Sequence, residues 1–169
     1  EKGFAKACGS YEALTGGEAG EALTMLTGWP SKMIVFDRRF NPRFDPDTLW
    51  AELCFSGEVG FLMTCSTKAV ASSSLEPFHV YSLLSVHEVP LEGAGRSERL
   101  LKIRNPHGKT RWNGPWSDES ALWSPQLREL VGCPSGGSKQ VFVMSLGDFL
   151  REFAHVTICR VHSRHQWKE

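Results

Sequence analysis

Two short stretches, Phe78-His79-Val80-Tyr81-Ser82 and Arg104-Asn105-Pro106-His107-Gly108, bracket a run that reads as one β-hairpin. A hairpin this long commits the chain to antiparallel sheet and fixes what can face what. With the turn centred on Glu92-Gly93, His79 faces Asn105, Tyr81 faces Ile103 and Leu83 faces Leu101. An imidazole and an amide then share one end of a face, and apolar pairs continue it inward. An Asn carbonyl oxygen placed this way fixes an imidazole for work on a nucleophile. The pairing depends on register, since a slip of one residue sends every side chain to the other face. Taken alone, His79 reads more simply as a hydrogen-bonded histidine at a strand end.

The rest of the chain surrounds this hairpin with helices first and strands after. Phe4, Ala7, Cys8, Tyr11 and Leu14 recur at helical spacing, predicting a helix over 1–14 that stops at Thr15-Gly16-Gly17. A second helix is predicted over 18–26, ended by Gly28 and Pro30, then a strand over 32–36. Asp45-Pro46 reads as an N-cap with proline at the first helical position, opening a helix to Phe55 with Leu49, Trp50 and Leu53 inward. A strand over 59–65 and a serine-rich loop over 66–77 lead into the hairpin, whose loop is expected over 87–97. Beyond it lie the turn-rich segment 112–118, a short helix over 126–131 and a strand over 140–144. A helix capped by Ser145 and a last strand over 156–161 close the chain. This order argues an α+β domain: N-terminal helices followed by antiparallel β-sheet.

Composition narrows the function classes. The 169 residues suit one domain with a real core, 41% being hydrophobic and 22% charged. With 19 basic and 19 acidic residues, the chain lacks the electrostatic footprint of a nucleic-acid binder. No apolar run approaches the ~20 residues of a membrane span. Five widely spaced cysteines contain no C-x-x-C pair, which argues against a disulfide framework and for thiols in a reducing cytoplasm. Cys159-x-x-His162-x-x-His165 fits no standard zinc spacing. The chain opens on Glu1 in helical pattern, with neither an initiator Met nor a signal peptide, and reads as a piece of a longer protein.

Several segments match a known family in order. They are Gly9-Ser10-Tyr11-Glu12-Ala13-Leu14 with Gly16-Gly17, Leu26-Thr27-Gly28, Gly60-Phe61-Leu62, and His79-Val80-Tyr81-Ser82. Residues 101–106 with Gly108, Trp112-Asn113-Gly114-Pro115-Trp116-Ser117-Asp118, Phe142-Val143-Met144-Ser145 with Asp148-Phe149, and Ile158-Cys159 complete the set. The chain resembles the second, His/Asn-bearing subdomain of the calpain protease core. The Cys8 segment and the Ile158-Cys159-Arg160-Val161 ending are most similar to the atypical, small-optic-lobes type.

The resemblance implies the β-rich half of a papain-like cysteine endopeptidase that cleaves proteins at limited sites. Residues 1–17 would end the first subdomain and form the hinge, and residues 18–169 would be the second subdomain. His79 would be the general base and then acid, and Asn105 would orient its ring. The thiolate would come from an upstream subdomain of the same chain, in a Gly-x-Cys-Trp setting that no cysteine here has. Alone, this chain is expected to be inactive. Gly16 and Gly17 would face substrate, and Trp112 would line the cleft near the His–Asn pair.

Three departures from the family pattern matter. Phe78 stands where the family has Gly, and His107 where it has a shielding Trp. A polar, titratable imidazole there implies a wetter His–Asn bond and a lower or more pH-sensitive activity. Of the family's calcium site only Asp118 remains, because Arg111, Lys139 and Val141 stand where acids are expected. The expectation is therefore no metal or other cofactor in this subdomain, calcium being left to the missing one. Phe78 and His107 also leave open a second reading, an impaired pseudoprotease acting as an interaction module.

Overall fold

The computed structural model describes residues 2–14, 16–70, 74–91, 95–108, 110–138 and 140–161. Thr15, the Glu92-Gly93 turn, Lys139, His162 and His165 lie outside the described residues.

Helix α1 covers Lys2–Cys8. The single helix expected over 1–14 breaks there because Gly9 takes φ +94°, and a 3₁₀ turn at Glu12–Leu14 follows. Helix α2 (Ala19–Thr27) ends on Gly28 in the left-handed region, whose N–H donates to Thr24 O at 2.8 Å. Strand β1 is Ser31–Val35. Asp45 caps α3 (Pro46–Glu58) by accepting the Thr48 N–H at 2.7 Å, as its sequence predicts. That helix runs three residues past Phe55, so β2 is Leu62–Thr67. Strands β3 (Val80–Leu91) and β4 (Arg96–Arg104) form the hairpin. Helix α4 (Pro125–Val131), β5 (Val141–Ser145), α5 (Leu146–Glu152) and β6 (Phe153–Cys159) complete the chain.

The strands form one six-stranded sheet in the order β1-β6-β2-β3-β4-β5, every neighbouring pair antiparallel. This is the α+β class expected from the sequence. Alternation divides the core between the two faces. Tyr81, Leu83, Leu101, Ile103, Phe142 and Met144 pack with α3 and α5 through Leu49, Trp50, Leu53 and Phe149. Their sequence neighbours Leu100 and Val143 join Val89, Trp116 and Val131 in a second cluster. No helix among the described residues is long and apolar enough to cross a membrane.

The hairpin register differs from the expected one. Leu83 pairs with Ile103 and Val86 with Leu101, not Tyr81 with Ile103 or Leu83 with Leu101. Two causes act together. The strands pair out to Leu91 and Arg96, through segments expected to be loop, where Glu88 opposes Arg99 and accepts the Ser97 hydroxyl at 2.5 Å. A bulge between Leu83 and Ser85 then adds one residue to β3. Carried past Ser82↔Arg104, this register sets His107, not Asn105, level with His79.

Candidate active site

His79 enters β3 from a tight connection to the end of β2. Thr67 Oγ1 accepts the His79 N–H at 3.0 Å and donates to Glu76 O at 2.6 Å, while the Thr67 N–H donates to His79 O at 3.1 Å. One buried threonine therefore fixes the backbone on both sides of the Glu76–His79 turn. Thr67→Val keeps the shape and removes the hydroxyl, leaving the His79 N–H and Glu76 C=O short of a partner. A loss of about 1–3 kcal/mol is expected, and urea denaturation with the midpoint unmoved would show that the hydroxyl holds nothing.

Phe78 sits at φ +50°, a region where a non-glycine residue is uncommon, and its side chain is 80% exposed. The backbone keeps the conformation glycine would adopt freely, and the phenyl points to solvent instead of covering His79.

The His79 ring meets the edge of Tyr81, centroids 4.9 Å apart, and lies 4.2 Å from the His107 ring at 36°. Its Nε2 is buried and, among the described residues, has no hydrogen-bond partner. The expected bond from Asn105 to this imidazole is therefore not made. Asn105 is 0% exposed, and its amide is committed elsewhere. Oδ1 accepts the His107 N–H at 2.9 Å, and Nδ2 donates to Thr110 O at 2.7 Å and Thr110 Oγ1 at 3.3 Å. A donor on one side and a carbonyl on the other fix which end of the amide is which.

These bonds close a circuit beside His79. Asn105 donates to Thr110, whose hydroxyl donates to Glu76 Oε1 at 3.4 Å. Glu76 Oε2 lies 3.3 Å from His107 Nδ1, and the His107 backbone returns to Asn105. Sequence reasoning missed Thr67, Glu76 and Thr110. The one available signal was Glu76 three residues before His79, since a turn there folds a carboxylate back towards the ring.

Trp112 is buried, donates Nε1–H to Pro115 O at 2.7 Å, and lies in the same core cluster as Tyr81 and Ile103. Gly16 and Gly17 line an open groove of about 580 Å³ with Phe4, Cys8, Thr64 and Val80. Among the described residues, a Cβ at either glycine would meet nothing within 4 Å.

Asp118 is held by cations. Arg128 donates to its Oδ1 at 3.2 Å and to its backbone O at 2.5 Å, and Arg111 Nη1 is 3.8 Å from Oδ2. Arg111, Asp118, Val141 and Lys102 line one cavity. Such a wall does not fit a calcium ion, which takes six to eight oxygen ligands.

No thiol among the described residues is hydrogen-bonded to His79, and all five cysteines are free. Burial raises the thiols of Cys54, Cys65 and Cys133 above their ordinary range, which disfavours the nucleophilic thiolate.

Compared with known proteins, residues 1–160 match the calpain family cysteine protease model. The chain belongs to the calpain family. It is 36% identical over 172 residues to the calpain-type cysteine protease DEK1 of Arabidopsis thaliana, covering 97% of this chain and 8% of that protein. It is 33% identical to human Calpain-8 over 168 residues and to the mouse Calpain-1 catalytic subunit over 172, each alignment covering 95% of this chain and 23% of the relative. The calpain-family chain thus spans less than a quarter of the length of these relatives.

Proposed function

We propose that this chain supplies the imidazole half of a calpain-type cysteine endopeptidase. His79 takes and returns a proton while a thiolate from another part of the same protein attacks the peptide carbonyl. The observation that carries this reading is the family match, which spans His79 and its surroundings. Two features support it. Thr67 anchors the His79 backbone, and three of the chain's own thiols are held protonated by burial. The division at residue 17 is supported by α1, in which only Ala5 is buried, as suits a segment whose main partner lies elsewhere. Free thiols throughout favour a reducing, cytoplasmic setting. The test is proteolysis of an unfolded protein substrate by the full-length protein, with this chain alone as control. Cleavage that thiol traps abolish, absent from the chain alone, is the expected result.

One observation favours a second reading, a calpain-like scaffold without peptidase activity. The Asn105 amide bonds His107 and Thr110, so among the described residues no hydrogen bond holds the His79 Nε2. No cleavage by the full-length protein would favour this reading.

Calcium is not proposed as a ligand of this subdomain, because Arg111 and Arg128 already neutralise Asp118. Calorimetric titration of the chain with calcium is expected to show no micromolar binding, and a micromolar isotherm would contradict the assignment.

A further inference from the structure

Glu76 and His79 lie in the connection before β3, His79 next to Val80, and His107 lies in the loop after β4. One nitrogen of each imidazole and one Glu76 oxygen lie within 4.8 Å of one another. The geometry points to a zinc-type divalent cation site on these three residues. Two imidazoles and a carboxylate are a donor set that suits zinc, and three protein ligands leave the fourth tetrahedral position for water.

Spacing supports the assignment. Tetrahedral ligands at zinc distances stand ~3.3 Å apart. His107 Nδ1 and Glu76 Oε2 are already 3.3 Å apart. Closing the rest of the triangle from 4.8 Å needs a small turn of side chains that are only partly buried. The surroundings have the form of an outer shell. Thr110 donates to the other Glu76 oxygen, and Asn105 holds Thr110 on one side and the His107 backbone on the other. Among the described residues the buried Nε2 of His79 has no hydrogen-bond partner, which leaves a nitrogen of this ring open to a ligand.

The site has one consequence for activity, which rests on the catalytic reading above. A lone pair of His79 given to a metal is not available to a proton, so zinc occupancy and base catalysis exclude each other.

The test is a calorimetric titration of the metal-free chain with Zn²⁺, beside the absorption spectrum of its Co²⁺ form. We expect one saturable site whose affinity falls at least ~10-fold in both His107→Trp and Glu76→Gln, since even outer-shell changes cost that much. The Co²⁺ form should give a tetrahedral nitrogen–oxygen spectrum that both variants lose. His107 is exposed and Glu76 holds its turn through backbone groups, so neither change threatens the fold. No saturable uptake, or uptake that both variants leave unchanged, would overturn the site. Zinc binding by the chain alongside a full-length protein without peptidase activity would remove the catalytic reading and leave the metal site standing.

Discussion

His79→Ala in the full-length protein is expected to lower peptide hydrolysis by about 10³-fold or more, because it removes both the base that forms the thiolate and the acid that serves the leaving amine. The loss should fall on kcat, since the ring acts in bond-making more than in substrate binding. Folding should be little affected. The ring is partly buried at a strand end, and the groups that fix the turn are backbone atoms of His79 and Glu76 bound to Thr67. The assay is kcat and KM on a peptide substrate, with thermal denaturation as the folding control. A variant that keeps its rate would remove His79 from the chemistry.

Gly114→Ala carries the largest expected effect on stability. A Cβ at this position would clash with Cζ2 of Trp112 and lie 2.6 Å from Cε2 and 2.7 Å from Cη2 of the same ring. The indole cannot retreat cheaply. It is buried in the core and its Nε1–H is bonded to Pro115 O. The methyl must displace the ring, break that bond and disturb the core cluster that the ring belongs to, for about 3 kcal/mol or more. At 2–4 °C per kcal/mol for a chain of this size, Tm should fall by roughly 6–12 °C. Gly57→Ala in α3 is the contrast. Its Cβ meets nothing within 4 Å, and the change should be neutral or stabilising by up to ~1 kcal/mol. Equal Tm for Gly114→Ala and the parent would refute the close packing.

What the sequence made legible is what local rules control. The Asp45-Pro46 start of α3, the Ser145 cap of α5 and the Gly28 end of α2 each involve residues within a turn of one another. The α+β class followed from element order. Gly9 was readable as a helix stop, but the apolar spacing through Leu14 masked it. The hairpin register was not legible. A two-residue shift keeps every side chain on its own face, so pattern alone cannot separate Leu83↔Ile103 from Leu83↔Leu101. The bulge after Leu83 and a connection shorter than the polar residues suggested decided it.

The candidate site divides in the same way. His79 and Asn105 were identifiable, and so were the unusual residues Phe78 and His107. Their mutual geometry was not. Asn105 found partners two and five residues on, and such local bonds compete directly with a cross-strand one. Thr67 and Thr110 entered through tertiary contacts that no spacing rule marks. Phe78 shows the converse. The backbone retains a left-handed turn, although the residue there is one that seldom adopts it.

The most direct test of the central claim, that His79 serves a thiolate carried elsewhere in the protein, is labelling of the full-length protein with an epoxide thiol trap, mapped by mass spectrometry. The account predicts one labelled cysteine, outside these 169 residues, and loss of that label in His79→Ala. Labelling at Cys8, Cys54, Cys65, Cys133 or Cys159, or labelling that survives His79→Ala, would contradict it.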